Sequence, residues 1–141
     1  MTDNVFVDTN ILLYARDVSE AKKQQKAESV LKQLWGTRSG RISTQVLNEY
    51  YVNVTQKLRP GLTKEEAWQD IEDLKSWNPV SIDMNLLQRG KDFQQQYSLS
   101  WWDSLILAAA DKTACSKIYS EDLSHGQSYF GITVVNPFAS E

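Results

Sequence analysis

Val5-Phe6-Val7-Asp8 runs three strand-favouring apolar side chains straight into a carboxylate, and after Thr9 and Asn10 a second apolar run, Ile11-Leu12-Leu13, begins. Such a segment is read as a buried strand with an acid held at its end. Burying a charge costs several kcal/mol or more unless something compensates it. Asp8 therefore needs a hydrogen-bond donor, a paired base or a metal ion, and the remaining sequence can be searched for which.

A chain of 141 residues fits one domain, 1–141, able to bury roughly two thirds of the surface that its unfolded form exposes. With 41% apolar and 23% charged residues it has the make-up of an ordinary globular protein, neither disordered nor fibrous. No apolar run approaches the roughly 20 residues that cross a bilayer, and the polar start is unlike a signal peptide, so no membrane association and a cytoplasmic location are expected. Cys115 is the single cysteine and reads as a buried thiol. The net charge of −3 argues against a uniformly basic nucleic-acid clamp. It is unevenly spread: residues 1–64 hold ten Lys or Arg against six Asp or Glu, and residues 65–141 hold five against twelve. A basic half can supply phosphate contacts while an acidic half gathers carboxylates, although most such charges are ordinary solvated helix faces.

Strand and helix signals alternate along the chain. A strand is expected over about Asn4 to Asp8 and a helix over Ser19 to Leu34, with Gly36 in the stop position. A short strand near Arg41 to Ser43 precedes a helix from Thr44 to Leu58 that Pro60 and Gly61 end, and Thr63-Lys64-Glu65-Glu66 is a capping box opening the next helix. Val80 to Ile82 reads as a strand, Asp83 caps a helix to about Tyr97, and Ser100 begins a helix from Trp101 to Ala114. Strands at Lys117 to Ser120 and Gly131 to Val135 complete the pattern. This alternation predicts an α/β fold, a parallel sheet with helices on both faces, whose ligands sit beyond the carboxyl ends of the strands.

Two further acids repeat the anomaly at Asp8. Eight of the ten residues from Trp101 to Ala110 are apolar, so Asp103 lies in the first turn of a helix with little room for a solvent face. Ser100-Trp101-Trp102-Asp103 has capping-box spacing and an acid there suits the helix dipole; capping and a working role do not exclude each other. Asp122 follows the strand Ile118-Tyr119-Ser120, as Asp8 follows its own strand, and either Asp122 or Glu121 can face a site. Converging, these carboxylates would raise one another's pKa values and strain the fold unless a cation neutralised them. Oxygen-only ligands suit Mg2+ or Mn2+, whereas one His and one Cys are too few for the usual zinc sets. Such an ion supports hydrolysis of a phosphodiester by activated water. By helical periodicity Glu49 lies away from the stripe Leu47, Tyr50, Tyr51, Val54 and Leu58, where a glutamate is simply solvated.

The blocks Val7-Asp8-Thr9-Asn10-Ile11-Leu12-Leu13, Asn48-Glu49-Tyr50, Trp102-Asp103-Ser104-Leu105-Ile106 with the alanines after it, and Tyr119-Ser120-Glu121-Asp122-Leu123-Ser124-His125-Gly126-Gln127 resemble, in order and spacing, the PIN-domain ribonucleases, in particular VapC-type toxins of bacterial toxin–antitoxin pairs. The resemblance spans nearly the whole chain. It implies a three-layer α/β/α sandwich and an acidic Mg2+ or Mn2+ site that cleaves single-stranded or structured RNA. It implies that Asp8, Glu49, Asp103 and Asp122 are the metal-binding and catalytic acids, with Asp8 and Asp103 on the principal ion and Glu49 on a second ion or on the attacking water. Asn10 and Ser104 fall where polar side chains support that site, and Asp122 rather than Glu121 stands where the family's fourth acid does. A homodimer and a cognate antitoxin filling the acidic groove are implied partners.

Two other readings share these carboxylates. A receiver-like Mg2+-dependent phosphoacceptor domain also places an Asp at a strand end, but no acidic pair precedes Asp8 and its late lysine has no counterpart. A catalytically silent PIN-fold binding module is disfavoured because all four acids are present. No nucleophile elbow, Walker loop or dinucleotide fingerprint occurs. His125 reads as a turn histidine bonding backbone. Trp101 and Trp102 can stack bases, though at least one belongs to the core, and Lys22, Lys23, Lys26, Arg38 and Arg41 are candidate phosphate contacts.

Overall fold

A computed structural model describes residues 3–139 of the chain. Strands β1 (Asn4–Val7), β2 (Gly40–Arg41), β3 (Cys115–Tyr119), β4 (Ser128–Tyr129) and β5 (Ile132–Val135) form one sheet in the order β2-β1-β3-β5-β4. All pairings are parallel except that of β4 with β5. The sheet is flanked by α1 (Thr9–Tyr14), α2 (Ala21–Thr37), α3 (Thr44–Gln56), α4 (Lys64–Leu74), α5 (Met84–Tyr97) and α6 (Trp101–Lys112). Val5, Phe6 and Val7 are all buried although successive strand residues point to opposite faces, so helices must cover both sides of β1. The mixed α/β fold with a mostly parallel central sheet is thus the one the alternation of signals predicts.

Local chemistry sets the boundaries. Thr63 and Glu66 close their capping box, while Ser43, Asp83 and Ser100 cap α3, α5 and α6 as single side chains. α6 is buried continuously from Ser104 to Ala110, as its near absence of polar residues requires. Gly90 of α5 lets it lie against α6, since a Cβ there would stand 2.9 Å from Leu105 Cδ2. Arg16 forks onto Asp70 at 2.6 and 3.0 Å and the Tyr50 hydroxyl donates to the same carboxylate, which ties the end of α1 to α3 and α4.

Several expectations need correction. Val80 to Ile82 is not a strand: Val80 makes one parallel bridge to Ser43 and the chain then leaves the sheet for the Asp83 cap. Gly36 does not stop α2; Arg38, in the left-handed region at φ 56°, does so two residues later. α3 ends at Gln56, before Leu58. α6 ends at Lys112, and Ala114, at φ 57°, turns the chain so that β3 begins at Cys115 rather than Lys117. The strand near Arg41 to Ser43 pairs at Gly40 and Arg41 instead. Neither α1 nor β4 is signalled by the sequence pattern. α1 is six residues long, too short to declare a period, and β4 is only two. Among the described residues no helix is long and apolar enough to cross a membrane.

Candidate active site

β1 ends one residue before Asp8, whose backbone N–H extends the ladder to the Tyr119 carbonyl at 3.0 Å before α1 begins. Its side chain is 6% exposed. One carboxylate oxygen, Oδ1, accepts the Thr9 N–H at 2.8 Å and so caps α1; the other, Oδ2, accepts the Ser120 hydroxyl at 2.7 Å and the Asn10 amide at 3.3 Å. These donors supply part of the compensation that the sequence demands. They do not suffice, because burial, with the nearby charges of Asp122 and Glu49 adding to it, pushes the Asp8 pKa up to about 6.

The other three acids reach the same place from different elements. Glu49 extends from α3, and its Oε1 accepts the Thr9 hydroxyl at 2.6 Å. Periodicity puts Glu49 on a solvated face, and that is corrected: the face looks across a cleft to α1 and α6, leaving Glu49 half-buried. Asp103 is the third residue of α6, where its N–H donates to the Ser100 hydroxyl at 3.1 Å. Only this half of the capping box forms, and among the described residues the Asp103 carboxylate accepts no hydrogen bond, so it stays available to the cleft. Asp122 follows β3. Its Oδ2 accepts the Asn10 amide at 3.1 Å, and its N–H bonds the Ser120 hydroxyl at 3.2 Å.

Glu121 points elsewhere. It accepts Lys23 Nζ and the Tyr14 hydroxyl at 2.6 and 2.7 Å, and its N–H donates to Asn10 Oδ1 at 3.1 Å. Burial raises its pKa, but the Lys23 and Tyr14 bonds outweigh that and leave it below the usual range. Of the two neighbouring acids it is Asp122 that lines the cleft. Ser104, expected beside the site, donates instead to the Ser100 carbonyl at 2.8 Å within its own helix and is fully buried. His125 accepts the Asn136 N–H on Nδ1 at 2.9 Å, as a turn histidine bonding backbone. Lys23 is spent on Glu121, and Arg41 donates to the Arg38 and Gly40 carbonyls. Sequence reasoning misses Thr9 and Ser120, the hydroxyls that position Glu49 and Asp8. Their only signal is a small hydroxyl residue directly before or after a strand-end acid.

Asp8, Glu49, Asp103 and Asp122 line one cleft of about 250 Å3 together with Thr9, Asn10 and Asn53, and no Lys or Arg lines it. Like charges gathered in one cleft without a base call for a cation, and a wholly oxygen donor set selects a hard one. Among the described residues no three acid, histidine or cysteine side chains are grouped closely enough to hold an ion as they stand. Thr9 draws Glu49 aside and the Asn10 amide stands between Asp8 and Asp122. The donor chemistry nonetheless fits Mg2+ or Mn2+, because Mg2+ keeps several waters and needs only one or two carboxylates in direct contact.

An acid cleft beyond the carboxyl ends of β1 and β3 lies where open, mostly parallel sheets bind their ligands. The PIN domain family model matches residues 5–127. The chain belongs to the PIN domain family, whose members are in general nucleases. Its fold is similar to that of a solved chain described as "Toxin-antitoxin complex from Klebsiella pneumoniae", with TM-score 0.69 and 20% identity over 96% of this chain and 98% of that one. No curated protein matches the sequence significantly.

Proposed function

We propose that this chain, acting as one unit over residues 1–141, is a divalent-metal-dependent endoribonuclease and the toxin of a toxin–antitoxin pair, of the VapC type. The observation that carries the reading is the cleft itself, lined by Asp8, Glu49, Asp103 and Asp122 without a base. Asp8 and Asp103 would hold the principal Mg2+ or Mn2+ and Asp122 would complete its surroundings, while Asn10 and Ser120 fix the two strand-end acids. A bound ion would offset the charge growing on the phosphodiester and make an adjacent water more acidic. Glu49, aimed by Thr9, orients that water and takes its proton. Attack in line with the P–O3′ bond breaks that bond and the departing 3′ oxygen takes a proton from solvent, so the products carry a 5′-phosphate and a 3′-hydroxyl.

The solved chain of similar fold belongs to a toxin–antitoxin complex, which supports an antitoxin as partner here. A homodimer and a cytoplasmic location belong to the same reading. The test is end analysis of RNA cut by purified protein in Mg2+. Expected are 5′-phosphate ends and loss of cleavage in EDTA and in Asp8→Ala and Asp103→Asn proteins. Cyclic 2′,3′-phosphate ends, or cleavage undiminished by EDTA, would refute the mechanism.

A further inference from the structure

Trp101 and Trp102 are adjacent on α6 and have opposite surroundings. Trp101 packs toward Gly90 on α5, whereas Trp102 is 63% exposed. Its exposed indole face, beside an acid cleft, is open to a flat aromatic partner. Trp102 forms part of the wall of the acid cleft and, with Gln45, Asn48, Glu49 and Ile82, of a second hollow of about 330 Å3 next to it. The Gln45 amide donates to the Trp102 carbonyl at 3.4 Å, which joins α3 to α6 at this point. Ile82, 38% exposed, adds apolar surface, and the exposed Asn48 adds an amide able both to donate and to accept.

We infer that this hollow is a base subsite: the nucleotide adjoining the cleaved phosphodiester binds unpaired, its base stacked on Trp102 and its edge turned to Asn48. The inference rests on the nuclease reading and adds to it the residues that hold a base beside the cleaved bond. A phosphate is repelled by the bare acids and belongs at the cation, whereas an uncharged base meets no such repulsion and gains a flat aromatic partner. Within a double helix the base faces are already stacked and the ring cannot reach them, so single strands, loops and bulges are selected. Because Trp102 lines the acid cleft together with Asp103, the base is held beside the metal-binding acids.

The test uses the full chain in Mg2+ with a fluorescein-labelled oligouridylate of 12 residues, free and annealed to its complement. Trp102→Ala should raise KM by about 5- to 150-fold, the effect of losing one base stack, and Trp102→Phe should recover most of it. The salt dependence of KM should not change, since the ring neutralises no phosphate. Strand binding should quench tryptophan fluorescence in the wild type more than in Trp102→Phe. Annealing should suppress cleavage. An unchanged KM in Trp102→Ala, with the wild type active, overturns the subsite alone and leaves the exposed ring to a protein partner. Equal cleavage of the annealed strand also overturns it. A wild type that cuts no RNA overturns the nuclease reading and the subsite together.

Discussion

Asp8→Asn, in metal-free protein, isolates the cost of the buried charge. The Asp8 pKa is pushed from the ordinary 3.8 to about 6, a little over two units, and at 1.36 kcal/mol per unit this is about 3 kcal/mol. The sign follows from proton binding. Between pH 4 and 6 the folded protein keeps the Asp8 proton while the unfolded chain releases it, so stability falls as pH rises through this window. It is about 3 kcal/mol lower at pH 8 than below pH 4 as far as Asp8 is concerned. The amide of the Asp8→Asn variant cannot ionise and escapes that fall, although it faces the Ser120 hydroxyl with a donor and forgoes roughly 1 kcal/mol of hydrogen bonding at every pH. Denaturant unfolding of both proteins in EDTA at pH 4 and pH 8 should therefore show the difference between them shifting by about 2.4 kcal/mol in favour of the variant, because at pH 4 more than half of the unfolded chains have already released the Asp8 proton. At a hundred times its dissociation constant, Mg2+ should return about 2.7 kcal/mol to the wild type and little to the variant. A difference that stays constant with pH would refute the claim that Asp8 is an undercompensated charge.

Glu121→Gln should leave RNA cleavage within about threefold of wild type, whereas Asp122→Asn should lose at least the roughly 10- to 100-fold that even an outer partner of a metal ligand costs. The reverse order in the same cleavage assay would put Glu121 at the ion. Gly40→Ala brings a Cβ to 2.8 Å from the indole of Trp77, a ring only 2% exposed and unable to move aside, and should cost about 2 kcal/mol by denaturant midpoint at unchanged slope. Gly90→Ala brings a Cβ to 2.9 Å from the terminal methyl of Leu105 and 3.6 Å from the Trp101 ring, so Leu105 must shift; the gain of about 1 kcal/mol in helix propensity offsets that, and the variant should stay within about 0.5 kcal/mol of wild type.

The elements with strong chemical punctuation are legible in the sequence. Asp83, Ser100 and the Thr63–Glu66 box each start a helix where a side-chain oxygen can take an orphan N–H, and that interaction lies within four residues. Val80 to Ile82 has the composition of a strand, yet whether it pairs depends on whether a neighbour is offered beyond Ser43, which no local pattern records. The site divides in the same way. Asp8, Asp103 and Asp122 stand out because each is an acid where apolar surroundings are expected. Glu49 does not, because a helix face away from the local stripe is the same in sequence whether it looks onto water or onto a cleft built by other elements. Thr9 and Ser120 are invisible for a related reason: their partners, Glu49 and Asp8, lie 40 and 112 residues away.

That last separation also governs when the site can exist. β1 takes its place in the sheet between β2 and β3, and the Ser120 hydroxyl that steadies Asp8 arrives with the final fifth of the chain. While the polypeptide is being made, its first hundred residues hold two of the four acids, Asp8 and Glu49, and neither the α6 turn that presents Asp103 nor the strand that delivers Asp122. A growing or prematurely ended chain therefore carries no assembled cleft. Whatever chemistry the cleft performs begins only once the chain has been made through Asp122 and β3 is paired with β1.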